Sequence, residues 1–291
     1  MRAARLSCVP HAFFDIVRFL RTGSYSWDFQ GGCGRLSDGV LRVDLPDTGI
    51  TGIYVRMVDI IDSLDSEERA AASARLTALT EILATVDTLV VNRPGSDMSN
   101  WSKVYHLSLL SRCGFTVPES LLTNNEKEAR EFLAAAPSTI FKGASGEKTI
   151  ASALEHGQMS ELRLLPRSPV LFQERVRGAD VRTHLVGKQH FSERIDSEGV
   201  NYQYCAGVKT FTPTRVPPDV VEKCLAYQAM SGLTFIGFDF MVGEDGRHTV
   251  LEANPMPGYD GYDRRLGLRI SSALLNLLQG RGTPEPHDRR H

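Results

Sequence analysis

At 291 residues and 42% hydrophobic content, the chain can bury a sizeable core and has room for two or three modules of ordinary size. Its 33 lysines and arginines against 35 aspartates and glutamates give a net charge of -2, which excludes a global basic field for nucleic acid and a polybasic surface for a membrane. The five cysteines, Cys8, Cys33, Cys113, Cys205 and Cys224, are scattered without a C-x-x-C pair, so neither a disulfide framework nor a zinc site is indicated and a reducing, cytoplasmic setting is expected.

In chain order, Val9 to Leu20 reads as a strand or a short helix, with His11, Asp15 and Arg18 interrupting any signal-peptide run. The Gly31-Gly32-Cys33-Gly34 cluster is a turn-rich connection that does not meet the dinucleotide G-x-G-x-x-G spacing. From Asp65 the positions Ala72, Leu76, Leu79, Leu83 and Val86 recur at helical spacing, with Glu67 and Glu68 in the first turn where the helix dipole favours them. Thr88 to Val91 then reads as a buried strand that ends at Asn92-Arg93-Pro94-Gly95. A helix followed by a strand suggests a small α/β layer over residues 1–98.

A helix from about Ser102 to Cys113, closed by Gly114, opens the next module, residues 99–168; its inner stripe is Val104, Leu107 and Leu110 or Ser111, which leaves Lys103 off the stripe. Thr123-Asn124-Asn125-Glu126 fits a capping box for another helix through Phe132 and Leu133. Thr139 to Lys142 reads as a strand running into a small glycine-bearing loop, Gly143 to Thr149, that includes Ser145. Such a loop can offer backbone N–H groups to phosphate oxygens while Lys142 adds charge, although the Walker spacing is absent and a plain turn is the alternative.

Residues 169–280 form the third module. The strands Val170 to Val176, Val181 to Val186 and Gln189 to Ile195 build an antiparallel sheet. Arg182 is a candidate phosphate-gripping guanidinium, the alternative being a surface arginine paired with Asp180. A helix runs from Pro217-Pro218-Asp219 to Gly232. Gly237 to Val242 and His248 to Pro255, separated by a break with Asp245-Gly246 at its tip, read as a β-hairpin. Glu252 and Asn254 leave one face of the second strand, and pairing brings Asp239 alongside, a hard-oxygen set suited to Mg²⁺; the alternative is an acidic solvent face. A final amphipathic helix spans Leu266 to Leu278 through Ile270, Ala273, Leu274 and Leu277, and residues 281–291 read as a disordered tail.

Together these residues carry a resemblance. Lys103; Ile140-Phe141-Lys142 with its loop; Leu171-Phe172-Gln173-Glu174; Gly178-Ala179-Asp180-Val181-Arg182; Gly237-Phe238-Asp239; and Leu251-Glu252-Ala253-Asn254-Pro255, in that order, resemble the ATP-grasp ligases, and most closely their RimK-like branch. The match covers roughly Asn92 to Leu278. It implies an α/β (α+β) protein, an ATP-grasp fold of two α+β subdomains behind a small N-terminal α/β pre-ATP-grasp domain.

The resemblance also implies site roles. Lys103 and Lys142 would touch ATP phosphates under a loop carrying Ser145. Gln173, Glu174 and Val176 would line the adenine and Asp180 the ribose, while Arg182 would reach the transferring phosphate. Asp239, Glu252 and Asn254 would hold Mg²⁺, with Mn²⁺ as an alternative ion. A carboxylate is a poor acyl donor, so ATP would phosphorylate it and an amine would displace phosphate, with no side-chain nucleophile required.

The substrate is less legible. Asn201-Tyr202-Gln203-Tyr204-Cys205-Ala206-Gly207 stands where glutamate-ligase relatives carry an arginine and an asparagine two apart, which argues against a glutamate-like acceptor. Tyr259, Asp260, Arg264 and Arg265 follow the residues that the resemblance implies as metal ligands and are candidate substrate contacts, or else a surface loop with charges. The eight histidines form no H-E-x-x-H pattern, and Cys113 and Cys224 read as packing residues. Three readings follow: a ligase joining a small-molecule or peptide carboxylate to an amine, a ligase that macrocyclises or otherwise modifies a ribosomal peptide, and a non-catalytic ATP-binding module. No nucleic-acid or membrane partner is expected, and a homo-oligomer is left open.

Overall fold

The computed structural model describes residues 1–57, 60–96, 102–136, 138–143, 152–153, 156–197 and 208–281. Ser145, the stretch 201–207 and the tail beyond Arg281 lie outside them.

The N-terminal unit contains α1 (Arg2–Leu6), α2 (Ile16–Thr22), β1 (Ser24–Asp28), β2 (Cys33–Ser37), β3 (Arg42–Leu45), β4 (Gly52–Tyr54), α3 (Ser66–Thr85) and β5 (Leu89–Val91). Of the ambiguous segment Val9 to Leu20 only the part from Ile16 is helical, where Asp15 caps it by accepting from the Arg18 N–H at 3.1 Å. β1, β2 and β3 form an antiparallel meander around the glycine cluster, an arrangement the sequence reading left as a connection. β4 and β5 pair in parallel with α3 as their crossover, and Ala72, Leu79, Ile82 and Leu83 of that helix are buried beneath them.

The second unit comprises α4 (Lys103–Arg112), β6 (Ser120–Thr123), α5 (Glu126–Ala135), β7 (Thr139–Gly143), β8 (Ser152–Ala153), a 3₁₀ segment (His156–Arg167) and β9 (Val170–Glu174). Its sheet has the order β6-β9-β7-β8, so the strand from Val170 pairs here and not, as expected, in one sheet with the strands Val181 to Val186 and Gln189 to Ile195. The capping box is displaced: Asn125, not Thr123, is the N-cap and accepts from the Lys127 and Glu128 N–H groups, while Thr123 ends β6 and donates its hydroxyl to the Glu128 carboxylate at 2.8 Å. The stripe assigned to α4 is also corrected. His106, Leu109 and Leu110 are its buried residues, and Val104 is 47% exposed.

The third unit holds β10 (Ala179–Val186), β11 (Gln189–Asp196), β12 (Thr210–Thr214), α6 (Pro218–Ser231), β13 (Phe235–Val242), β14 (His248–Asn254), α7 (Asp260–Arg265) and α8 (Arg269–Leu278). The terminal helix expected over Leu266 to Leu278 is α8 and starts at Arg269, while α7 lies in the stretch before it that reads as a loop. Leu268, at φ 65, separates them, and Asp263 caps the second by accepting from the Ser271 N–H at 2.9 Å. Gly232 closes α6 in the left-handed conformation, as a C′ glycine does.

The five strands run β12-β11-β10-β13-β14, antiparallel throughout. β13 is buried along almost its whole length because both faces are covered, which is why it reads as a near-continuous apolar run. On one face Ile236, Phe238, Phe240, Val181, Leu185, Val250 and Ala253 pack with Leu109, Leu110, Val220 and Tyr227 of α4 and α6. On the other, Phe235, Val186 and Phe191 pack with Ile270, Ala273, Leu274 and Leu277 of α8 and with Val91 of β5. The remainder of that second face carries charged side chains.

Candidate active site

Register decides what shares that charged face. Arg182 on β10 pairs with Asp239 on β13, and Asp239 with Glu252 on β14, so three charged residues form a row across three strands. A bulge makes this row possible. The β13–β14 register shifts between Asp239 and Phe240, whose partners are Glu252 and Val250, and Leu251 is the inserted residue. Strict alternation would send Val250 and Glu252 to one face. With the bulge, Val250 stays in the core and Glu252 joins Asp239. Asn254, paired with Gly237, follows two positions on, so all three oxygen-bearing side chains leave one face at adjacent positions. The Asn254 amide oxygen also accepts from the Met256 N–H at 2.8 Å.

Arg182 is 4% exposed and its Nη1 donates to Asp239 Oδ2 at 2.6 Å, which overturns the surface pairing with Asp180. Gly237 gives the guanidinium its room: a Cβ there would lie 2.1 Å from Arg182 Nη2 and 2.7 Å from Pro257 Cβ. Asp180, two residues back on the same face, has its carboxyl raised to about 6 by burial, with the Asp239 charge adding to the effect.

The second unit supplies cations opposite this row. Lys142, next to the last residue of β7, donates to Gln173 Oε1 at 3.0 Å, while Gln173 Nε2 donates to Ser120 Oγ at 3.0 Å. Gln173 is therefore buried and orients the lysine. Lys103, the first residue of α4 after the Ser102 cap, donates to the Gly143 carbonyl. Burial lowers the pKa of both lysines and the Glu252 carboxylate opposes the shift in each, so Glu252 serves as their common counterion. Between the two sheets lies a cleft of about 650 Å³. Lys142, Gln173, Glu174, Val176, Asp180, Asp239 and Glu252 all line it. Its hinge strand is tied down at both sides, with the Glu174 N–H donating to the Glu119 carbonyl and the Arg175 N–H to Ser138, each at 2.8 Å.

The four candidate substrate contacts divide. Asp260 and Arg264 are exposed and pair with each other. Tyr259 is half-buried against Tyr54 and Phe235. Arg265 forks onto Glu193, with Nη2 to Oε2 at 2.7 Å and Nε to Oε1 at 3.1 Å, and its guanidinium lies 3.7 Å over the Phe211 ring. Glu193 is the β11 partner of Arg182, so this pair adjoins the charged row.

Sequence reasoning missed His106. One turn along α4 from Lys103, its Nε2 accepts the Ala253 N–H at 3.1 Å, joining the lysine-bearing helix to the strand that carries Glu252 and Asn254. Burial lowers the imidazole to about 4, with the Lys142 charge contributing, so the ring is neutral and the acceptor stays available. The sequence signal was a histidine inside an otherwise apolar helical face. Among the described residues no group of three or more His, Cys, Asp or Glu side chains is arranged to hold a metal; the set above is two carboxylates and an amide.

Comparison with known proteins agrees with this architecture. The ATP-grasp ligase PsnB, in complex with precursor peptide PsnA2 and AMPPNP, superposes with a TM-score of 0.78 at 26% identity, over 97% of this chain and 92% of that one. The fold is that of the ATP-grasp ligases, and the sequence is similar to RimK-like members of that group. Mouse N-acetylaspartylglutamate synthase A is 26% identical to this ATP-grasp chain over 217 residues, 67% of the chain and 56% of that relative, so the chain spans little more than half of its length. A probable alpha-L-glutamate ligase of Haemophilus influenzae is 26% identical over 209 residues, 66% of the chain and 67% of that protein. No family model matches the chain. Among the described residues, no helix of this ATP-grasp chain is long and apolar enough to cross a membrane.

Proposed function

We propose that the protein is an ATP-dependent carboxylate–amine ligase that joins an acid to an amine through an acyl phosphate. One observation carries the reading: Lys142, Asp239 and Glu252 line one cleft of nucleotide size, with Arg182 bonded to Asp239 behind it and Glu252 acting electrostatically on both Lys142 and Lys103. Asp239, Glu252 and Asn254 offer hard oxygens from adjacent positions, which fits Mg²⁺, an ion that takes one or two carboxylates and completes its shell with phosphate oxygens and water. Mn²⁺ suits the same donors. The nucleotide and its ion supply the phosphoryl group that converts the carboxylate into a mixed anhydride, from which the amine displaces phosphate.

The chain's own residues place and balance charge. The segment from Glu174 to Val176 offers backbone groups to the adenine edge, and Asp180 lies at the ribose position. Lys103 and Lys142, held by Gly143 and Gln173, meet the phosphates as point charges. Arg182 is fixed by Asp239, and its guanidinium would stabilise the charge that develops on the transferred group. The electrostatics is preorganised, and no residue acts as a nucleophile.

Glu252→Ala is expected to abolish Mg²⁺-dependent ADP formation in a screen of acids with amines while leaving the melting temperature within about 3 °C of wild type. Undiminished ADP formation would remove Glu252 from its role, and no ADP formation by the wild type for any acid would favour a non-catalytic nucleotide module. A second reading, modification of a peptide substrate, is favoured by the likeness to PsnB in complex with its precursor peptide. Mass measurement of products from a ribosomal peptide as against free amino acids separates the two.

A further inference from the structure

Directly after Asn254 the chain runs Pro255-Met256-Pro257-Gly258-Tyr259, a loop poor in its own means of support. Neither proline has an N–H to donate, and the Met256 N–H is taken by the Asn254 side chain at 2.8 Å. Besides the packing of its two buried prolines, the loop is held by donors that reach its carbonyls. Three do so, from three separate parts of the chain. Asn92, just past β5, donates from Nδ2 to the Pro255 carbonyl and to Phe235 O, and its Oδ1 accepts the Thr234 and Phe235 N–H groups at 2.9 Å each. Arg56, just past β4, donates from Nη1 to the Pro257 carbonyl at 2.9 Å. His184, on β10 two residues beyond Arg182 and fully buried, lies with Nε2 3.2 Å from the Gly258 carbonyl, which makes that nitrogen the protonated one.

The held loop bears on the charged row. Pro257 is buried, and its Cβ would sit 2.7 Å from a Cβ built on Gly237, on the spot that Arg182 Nη2 also crowds at 2.1 Å. Pro257 and Gly237 thus form two walls of the slot in which the Arg182 guanidinium turns toward Asp239.

We infer that Arg56, Asn92 and His184 act as a clamp on residues 255–258 that fixes Arg182 through Pro257, which makes the N-terminal unit part of the catalytic apparatus. These three are positioning residues, and none needs to touch substrate. The functional half of the inference rests on the ligase reading; the clamp itself does not.

The test compares wild type with Arg56→Ala and Arg56→Lys in the full chain by hydrogen–deuterium exchange, ADP binding with Mg²⁺, and ADP release with whichever acid the wild type accepts. In Arg56→Ala, exchange in a peptide covering 252–262 should accelerate about tenfold while a peptide covering 170–180 is unchanged. ADP affinity should stay within about twofold and turnover should fall about tenfold, with Arg56→Lys intermediate on both exchange and turnover. Unchanged exchange over 252–262, or equal acceleration everywhere, overturns the clamp; accelerated local exchange with wild-type turnover overturns its link to Arg182. If Arg56→Ala fails to fold, Arg56→Lys carries the same comparison. A wild type that turns over no acid defeats the ligase reading, and the exchange data still decide whether the loop is clamped.

Discussion

His106 does at one residue what neither a lysine nor an aliphatic side chain could do. An aliphatic residue in its place would leave the Ala253 N–H unpaired in the core, at a cost of about 1–3 kcal/mol. A protonated ring would have no lone pair to offer. The imidazole titrates at about 4 in the folded protein against 6.5 unfolded, so below 6.5 the unfolded chain binds the extra proton first. Its contribution is full above pH 6.5 and is lost as pH falls toward 4, by about 3 kcal/mol in all. Thermal melts of wild type and His106→Gln should therefore converge as pH drops from 6.5 to 4. A constant gap across that window would show that the ring's protonation is not linked to stability.

At the scale of elements, the bulge in β14 is the decisive detail, since it lets the strand serve the core and the cleft in turn. Val250 and Ala253 are both core residues three positions apart, a spacing no regular strand allows. Deleting Leu251 would make Val250 and Glu252 neighbours on opposite faces, so a regular strand would keep Val250 in the core and Glu252 beside Asp239. Urea denaturation of that deletion should show a loss under about 1 kcal/mol, and a loss of about 2 kcal/mol or more would show that the bulge itself, and not only the facing of Val250 and Glu252, supports the sheet. This feature separates what the sequence displays from what it hides. The hairpin, its Asp-Gly tip and the acidic positions follow from local composition, and so do the cap at Asp65 and the stop at Gly232. The register shift depends on which face each helix covers, a tertiary fact. The buried stripe of α4 was misread for a related reason: a polar histidine earned its interior place from a strand more than a hundred residues away. Likewise the sequence left Arg182 between a phosphate grip and a surface pair with Asp180, and only the arrival of Asp239 from β13 shows it buried. Short strands such as β6, β8 and the β1–β3 meander carried too few alternating positions to register as a pattern.

For the molecule as a whole, Asn92 is where the N-terminal unit meets the five-stranded sheet. Its left-handed backbone, φ 54, suits asparagine, and its amide bonds two N–H groups and two carbonyls at once. Asn92→Ala should cost at least about 2 kcal/mol, because several buried backbone groups lose their partner together; chemical denaturation measures it, and a loss under about 0.5 kcal/mol would mean that the two units are held chiefly by apolar contact. That apolar contact is itself built from distant stretches. Tyr54 and Val91 pack with Ile270, Ala273 and Leu274 of α8. On a ribosome, the early partners emerge long before the late ones, so this oily surface waits uncovered through most of translation. Nascent chains thus spend that interval with a sticky flank, when chaperone attendance matters most.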